Sequence, residues 1–301
     1  MRIAVGLDIA DSIDTTLARA RELRDLGVRS LWSSQIFGPD TLTALALIGR
    51  EIPELDLGTA VVPVQPRHPA VLAAQARTVQ EMIGGRLTLG VGLSHQVVVE
   101  GLWGLSFDRP ARYMREYLDA LAPLLRGEPV TTHGEMVSVT ATGPLGPREV
   151  RPPGLVVAAL GERMLRLAGA LADGTVLWMT GRRTIESHIV PVLRRAAEEA
   201  GRPAPRVVCS LPVCVSTNRA RATEVIDHQF AIYPTLPSYA AMLEREGATH
   251  ASDIAIVGSE EEVREGLARL AEAGVTEFSA AVVGDRDERA ATLALVASMA
   301  S

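Results

Sequence analysis

Cysteine is scarce in this chain of 301 residues, which contains only Cys209 and Cys214. Both lie within one apparent strand at positions 206–215. Side chains five positions apart on a strand point to opposite faces, so no disulfide is expected between these two residues. The cysteines therefore predict buried thiols in a cytoplasmic protein.

Clustered positive charge and long apolar runs are also missing from the sequence. Lys and Arg number 30 against 36 Asp and Glu, which gives a formal net charge of −6, and no basic block occurs. Nucleic-acid binding needs clustered Lys and Arg, so it is not expected as the main function. No apolar run reaches membrane-spanning length, and residues 1–7 have the pattern of a strand rather than of a signal peptide. Neither a nucleic acid nor a membrane is therefore expected as a partner.

Several catalytic motifs are absent as well. The six histidines include no pair at helical i, i+4 spacing and no CxxC partner, so no metal site is predicted. Neither GxSxG nor a P-loop occurs, and Gly90-Val91-Gly92 lacks the third glycine that opens the helix of a dinucleotide-binding fold. Nucleophilic hydrolysis and nucleoside triphosphate chemistry are therefore not expected.

What the chain does have is a regular alternation of strand and helix patterns. Hydrophobic residues make up 47% of the sequence and charged residues only 22%, as suits a large covered parallel sheet. Buried strand patterns lie at positions 2–7, 30–33, 57–62, 86–92, 155–159, 174–177, 206–215 and 276–283. A single (β/α)8 barrel domain over residues 1–301 is predicted, because eight such units close a barrel.

Two segments depart from the simple alternation of strands and helices. Residues 127–153 are rich in Gly, Pro and Thr, and they carry the pattern of a hairpin between 130–132 and 136–139. A further short strand pattern lies at 253–257, after two helical patterns. We expect the first segment to be an insertion into the barrel.

The unit from position 57 to 95 carries the most chemistry. Pro69 sets the first turn of its helix, and Gly84 and Gly85 end that helix. The C-terminal ends of its two strands carry VPVQPRH and GLSH. Parallel strands place these ends side by side on the barrel rim, which is where a (β/α)8 barrel keeps its active site.

The motifs of the chain resemble a known family. They are GTAVVP, RHP, GGRLTLGVGLSH, RYMREYL, VVAALGERMLRLAGALADGT and VGSEEEVREGLARLAEAGVTEF. In this order they resemble the bacterial luciferase-like superfamily, and within it the branch of coenzyme F420-dependent oxidoreductases. The resemblance covers essentially the whole chain. It implies a TIM barrel of the luciferase-like type with insertions at the C-terminal face, coenzyme F420 as the cofactor with FMN as the alternative, and a homodimer.

The implied reaction is hydride transfer between the deazaflavin C5 and a small organic substrate. Some F420 enzymes carry an acid–His pair after the second strand, where this chain has Ser34 and Gln35. An alcohol dehydrogenase must remove a hydroxyl proton, so this departure favours a C=C or C=N reductase. Two alternatives stay open: an FMN-dependent two-component monooxygenase of the same fold, against which Leu93 speaks mildly, and a non-catalytic cofactor-binding homologue.

The resemblance also assigns cofactor-binding residues. A cis bond would join Ala60 to Val61, with Val61 and Val62 behind the central ring of the cofactor. Gly161, between a strand and a helix, would let backbone N–H groups bind the phosphate, although an ordinary tight turn needs glycine as well. Arg182 and Arg183 suit the acidic oligoglutamate tail, or are plain solvated surface. The remaining cofactor candidates are Arg67, Ser94, His95, Ala159, Leu160, Glu162, Arg163 and Met164.

His95 is the main catalytic candidate. It lies just past the fourth strand, and its pKa near working pH suits a general acid or a hydrogen-bond donor, although it would also suit a cap of the next segment. Gln35, at the position of the family's acid–His pair, is the second candidate. His68, which follows Arg67, would contact the cofactor tail or cap the helix that begins at Pro69. Expected to line or cover the substrate pocket, unless they only pack in the core, are Trp103, Phe107, Trp178 and Met179.

Overall fold

Strands and helices alternate along most of the chain. The structure is a computed structural model that describes residues 1–9, 12–35 and 37–300. Its strands are β1 (Arg2–Gly6), β2 (Ser30–Ser33), β3 (Asp56–Thr59), β4 (Val62–Pro63), β5 (Leu87–Gly92), β6 (Val130–His133), β7 (Ser138–Ala141), β8 (Gly154–Ala158), β9 (Gly174–Trp178), β10 (Arg206–Val215), β11 (Ile256–Gly258) and β12 (Glu277–Val282). Its α-helices are α1 (Ile13–Asp25), α2 (Thr41–Glu51), α3 (Pro69–Met82), α4 (Gln96–Gly101), α5 (Pro110–Leu125), α6 (Glu162–Leu171), α7 (Arg182–Thr184), α8 (Val190–Glu199), α9 (Arg219–Gln229), α10 (Pro237–Glu246), α11 (Glu260–Glu272) and α12 (Arg286–Ser298).

Eight parallel strands form a closed barrel in the order β1, β2, β3, β5, β8, β9, β10 and β12. The barrel closes because β10 pairs with both β9 and β12, and β12 pairs in turn with β1. β4 pairs with the end of β5, β11 pairs with the end of β10, and the antiparallel hairpin β6–β7 forms a separate sheet. The predicted (β/α)8 barrel is therefore confirmed, and the hairpin lies within the predicted insertion.

Two strand patterns were misplaced by up to three residues. The hairpin pairs 130–133 with 138–141 rather than 130–132 with 136–139, because Glu116 accepts the N–H groups of Met136 and Val137 at 2.7 and 3.0 Å. The strand expected at 253–257 lies at 256–258. Asp253 belongs instead to a 3-10 helix (Ala251–Ile254), where its carboxylate accepts the N–H of His250 at 2.9 Å.

The predicted helices are present with one notable change. The helix between β9 and β10 is not a regular α-helix throughout: it begins at α7 and reaches α8 through a π-helix (Ile185–Ile189). A π-helical turn is rare and is found frequently at functional sites. None of the helices among the described residues is long and apolar enough to cross a membrane.

The core has an outer layer between strands and helices and a smaller cluster inside the barrel. The inner cluster consists of Ala4, Trp32, Val156, Val176 and Val208. Trp32, which is 3% exposed, fills the centre of the barrel, and a Cβ on Gly58 would come within 2.4 Å of its ring. The indole of Trp32 thus leaves no space for a side chain at position 58. Both cysteines are buried and free.

Candidate active site

The C-terminal ends of the barrel strands surround an opening lined by small side chains. Residues alternate in direction along a strand, so positions two beyond the inner cluster also face inward. Two positions after Ala4, Val156 and Val208 lie the small residues Gly6, Ala158 and Ser210, and Trp178 lies two positions after Val176. Gly6 is exposed, so the barrel mouth is open above Trp32 and leaves room for a ligand.

Val61 projects into this opening. A Cβ on Gly92 would come within 2.7 Å of its Cγ2, and Val61 packs against the inner cluster. The Ala60–Val61 bond is cis, as the resemblance implies. The loop between β2 and α2 holds both residues, because Ser34 Oγ donates to Ala60 O at 2.5 Å and the Gln35 N–H donates to Val61 O at 3.1 Å.

Two residues expected in the site belong to the core instead. Val62 is fully buried and packs in the outer layer of the core. Met179 is 1% exposed and also packs in that layer. Val62 lies one position after Val61, which faces the opening. Met179 lies just past the end of β9, and its φ of 50° is in the left-handed region. We therefore assign Val62 and Met179 to packing.

Ser94 and His95 form the rim directly after β5. Ser94 has a φ of 58°, in the left-handed region that residues other than glycine rarely adopt, and such strain is typical of functional sites. The His95 side chain makes no capping hydrogen bond to α4, and its ring lies 5.7 Å from that of Tyr239. Burial lowers the pKa of His95 below its ordinary value of 6.5, so the imidazole is mainly neutral at pH 7.

Two glutamines beside this rim differ in how fully their side chains are hydrogen-bonded. The Gln35 side chain is engaged within its own loop, where its Oε1 accepts the Thr41 N–H at 2.7 Å and its Nε2 donates to Pro39 O at 3.4 Å. Gln65 donates to the carbonyl of Leu93, and its buried Oε1 has no partner among the described residues. Gln65 was not predicted as a site residue, although it is a polar residue shortly after the buried strand pattern that ends at position 62.

The start of α6 is open toward the barrel mouth. Gly161 has an ordinary φ of −78°, is exposed, and a Cβ added to it would meet no atom within 4 Å. Neither backbone conformation nor packing therefore requires glycine here. Behind this loop, His188 Nε2 donates to the carbonyl of Leu160 at 2.9 Å from the π-helix. His188 was not predicted as a site residue, because no local pattern predicts a π-helical turn.

The residues around Gly161 differ in exposure. Ala159 is 2% exposed and packs in the core, so only its backbone can reach a ligand. Leu160 and Met164 are half-buried. Glu162 and Arg163 are exposed, and Glu162 forms an ion pair with Arg166 at 2.6 Å. The first turn of α6 thus offers backbone N–H groups rather than a dedicated side chain.

The start of α7, which follows the neighbouring strand β9, is occupied by a carboxylate of the same chain. Glu246 of α10 accepts the N–H groups of Arg183 and Thr184 at 3.0 and 2.7 Å, and the Thr184 hydroxyl at 2.7 Å. The side chains of Arg182 and Arg183 are exposed, and Arg182 pairs with Glu186 at 3.0 Å. The two arginines therefore lie on the surface beside the rim.

Arg67 and His68 serve local structure. Arg67 pairs with Asp40 at 2.6 Å. Burial opposes ionisation of Asp40, but hydrogen bonds from Thr43 and Arg67 outweigh it and lower the pKa of this carboxyl. His68 Nδ1 accepts the Ala70 N–H at 3.3 Å at the start of α3, so the expected helix cap is confirmed.

Aromatic side chains form one wall of the opening. Trp178, at the end of β9, lies edge-on to Phe230 and Tyr233, with ring centroids at 5.4 and 5.6 Å. The ring centroids of Tyr233 and Tyr239 lie 5.1 Å apart, and the ring of Tyr239 in turn contacts that of His95. Phe230, Tyr233 and Tyr239 were not predicted as site residues, although two of the four tyrosines lie in residues 218–253.

An apolar groove lies on the other side of the rim. Trp103 lines it together with Phe37, Gly38, Val97, Val98 and Leu102, and its volume is about 640 Å³. Phe107, four positions after Trp103, is half-buried. The part of the chain that the structure describes contains no group of His, Cys, Asp or Glu that could hold a metal ion.

Known structures share this architecture. The coenzyme F420-dependent tetrahydromethanopterin reductase of Methanopyrus kandleri superposes with a TM-score of 0.81 at 21% identity, over 99% of this chain and 98% of that one. The oxygenating constituent of 3,6-diketocamphane monooxygenase from Pseudomonas putida, in complex with FMN, gives 0.78 at 18% identity, over 100% and 98%. At these identities the likeness shows the fold.

The sequence itself shows the family. A putative coenzyme F420-dependent oxidoreductase of Mycobacterium tuberculosis is 28% identical over 229 residues, which are 69% of this chain and 65% of the relative. The model of the family described as luciferase-like monooxygenase matches residues 2–277. The resemblance seen in the motifs is thus confirmed: the chain belongs to the luciferase-like monooxygenase family.

Proposed function

We propose that this protein is a coenzyme F420-dependent oxidoreductase that transfers hydride between the deazaflavin C5 and a small organic substrate. The open start of α6 is the observation that carries the proposal. Gly161 faces free space that nothing in the described chain fills, and a helix N-terminus there favours a phosphate group. F420-dependent relatives of similar sequence support the choice of cofactor.

The residues at the barrel mouth fit the rest of the cofactor. Small side chains at Ala60, Gly92 and Ala158 leave space for a planar ring, and Val61 would support its face. The unpartnered Oε1 of Gln65 can accept a hydrogen bond from a ring N–H, which would satisfy a buried acceptor. Arg182 and Arg183, being exposed on the same side, would attract an acidic tail.

The chain contributes position and protonation. Bound F420 supplies the hydride at its C5. Val61 and the α6 start fix the height and direction of the ring, and Trp178 with Tyr233 keeps water from one side of the site. We assign His95 the role of proton donor to the substrate, since its ring lies on the rim without a capping hydrogen bond.

The finer reaction class is a C=C or C=N reductase rather than an alcohol dehydrogenase. Dehydrogenation needs a base that removes a hydroxyl proton. An amide such as Gln35 cannot act as that base, and both of its side-chain atoms are engaged in its loop. Reduction of an unsaturated bond by hydride needs a proton donor instead, which protonated His95 supplies, whereas a dehydrogenase at this site would have to use neutral His95 as its base.

Side-by-side binding of oxidised F420 and FMN to the purified protein, followed by fluorescence quenching, tests the cofactor assignment. Micromolar F420 binding with much weaker FMN binding is expected, followed by oxidation of reduced F420 on addition of unsaturated substrates. A preference for FMN would replace the proposal with a two-component monooxygenase. Binding of neither cofactor would remove both enzymatic interpretations.

We also propose a homodimer formed through α2 and α3. Exposed apolar side chains on these helices support it, namely Leu47, Val71 and Met82, which are 36%, 61% and 43% exposed. Sedimentation velocity checks the oligomeric state, and Val71→Glu should shift the protein toward the monomer. A monomeric wild type would overturn this part of the proposal.

A further inference from the structure

A cavity of about 250 Å³ lies at the N-terminal end of the barrel, opposite the candidate active site. Conservation of structure at this end of a barrel usually serves stability. Charged side chains nevertheless dominate the lining. The arginines are Arg2, Arg86, Arg151 and Arg206, and the carboxylates are Asp56 and Glu277. The lining therefore carries two more positive charges than negative ones.

Both carboxylates are already neutralised. Asp56 pairs with Arg2 at 2.6 Å. Glu277, whose side chain is 3% exposed, pairs with Arg206 at 2.9 Å. Glu277 also accepts hydrogen bonds from Ser30 Oγ at 2.9 Å and from Trp32 Nε1 at 2.8 Å. These two pairs form a satisfied structural network that leaves no carboxylate for the other two arginines.

Arg86 and Arg151 hold the surplus charge. Arg86 donates to the carbonyls of Gly49, at 2.8 Å, and Leu55, but it forms no ion pair within the described residues. Burial lowers the pKa of Arg86, although nearby Asp56 and Glu54 offset part of this effect. Arg151 has neither a hydrogen bond nor an ion pair to any described residue. The partly compensated Arg86 and the exposed Arg151 leave the half-enclosed cavity with an excess of guanidinium over carboxylate groups, which favours an anion.

We propose that this cavity binds a small dianion, either a phosphate monoester or a dicarboxylate. Two negative charges match the surplus of two, and planar guanidinium groups bind paired oxygens of phosphate or carboxylate. The space of about 250 Å³ admits a small metabolite and excludes a polymer. The site lies at the far end of the barrel from Gly161, so it does not depend on the proposed function.

Calorimetric titration of the full chain with inorganic phosphate and, separately, with succinate tests the proposal. At constant ionic strength, saturable binding is expected for at least one probe, and the preferred probe identifies the anionic group. Arg151→Gln should weaken that binding by about tenfold or more, because a charge-assisted contact is lost. Arg148→Gln is the matched control, since Arg148 is exposed in the same segment but does not line the cavity.

Phosphate could also bind at the start of α6, so a second variant separates the two sites. Gly161→Val should remove phosphate binding at the rim and leave binding in the cavity unchanged. F420 affinity should be the same in Arg151→Gln as in the wild type, which keeps this test apart from that of the proposed function. No saturable binding of either probe at millimolar concentration, or equal affinity in wild type and Arg151→Gln, would overturn the proposal.

Discussion

Two neighbouring helices, α6 and α7, begin on the same rim of the barrel, and their first turns are occupied in opposite ways. Each begins after a glycine with an extended φ, −78° at Gly161 and −75° at Gly181. A Cβ on Gly161 would meet nothing within 4 Å, whereas one on Gly181 would lie 2.3 Å from Cδ of Glu246. The same local sequence feature thus gives one free helix start and one that is filled.

The difference shows where the chain supplies its own anion. Glu246 neutralises the partial positive charge of α7 and satisfies two of its free N–H groups, which anchors α10 and the aromatic wall to the barrel. Among the described residues no side chain does this for α6, where Gly161 has no side-chain cap. The candidate binding site at α6 is thus recognised by the lack of a capping carboxylate from the described chain.

Removing the internal anion should have the largest effect on stability. Glu246→Ala leaves two backbone N–H groups without their acceptor and the buried Thr184 hydroxyl with the longer contact to the Met242 carbonyl at 3.4 Å, so the free energy of unfolding should fall by about 3 kcal/mol. Urea denaturation followed by circular dichroism measures this change. Glu246→Gln, which keeps an acceptor oxygen, should lose clearly less. Equal midpoints for wild type and Glu246→Ala would show that the contact does not anchor α10.

A substitution of His95 should affect the reaction rate but not the binding of F420 at the start of α6. His95→Asn should slow the hydride-transfer step by about a hundredfold while F420 affinity stays unchanged, because a proton donor acts in the transition state. The active form is the protonated imidazole, whose pKa burial lowers below 6.5. The wild-type rate should therefore rise as pH falls and level off below that lowered pKa. Pre-steady-state rates from pH 5 to 8 measure the profile, and a flat wild-type profile would exclude His95 as the donor.

The same substitution at the two glycines should give opposite results. Gly161→Ala places a methyl group in open space at the N-cap of α6, so the free energy of unfolding should fall by no more than about 1 kcal/mol, while F420 affinity should fall about tenfold because the backbone approaches the phosphate there. Gly181→Ala pushes Glu246 away, so it should lower the melting temperature and leave F420 affinity nearly unchanged. Thermal melts and F420 titrations of both variants check this. A Gly161→Ala protein with wild-type affinity would remove the phosphate site from α6.

Sequence patterns could predict one half of this comparison but not the other. The start of α6 at Glu162 follows from a buried strand, a glycine and a helical period, all within a few residues. The closed start of α7 depends on Glu246, which lies 62 positions beyond Thr184, and no local pattern records such a contact. His188 reaches Leu160 only because of the π-helix, which the hydrophobic period does not reveal.

The two arginines after Gly181 should have the smallest effect. Arg183 is exposed and its guanidinium has no ion-pair partner among the described residues, so Arg183→Gln should weaken F420 binding about twofold at low salt. Arg182 already pairs with Glu186 one turn away, so Arg182→Gln should do less. Salt screens exposed charges, so both effects should vanish at about 0.5 M salt. Arg195, which forms the same i, i+4 pair with Glu199 on α8, supplies the control Arg195→Gln. If all three variants bind F420 equally at low salt, the acidic tail does not lie over α7, and the closed helix start has no part in cofactor binding.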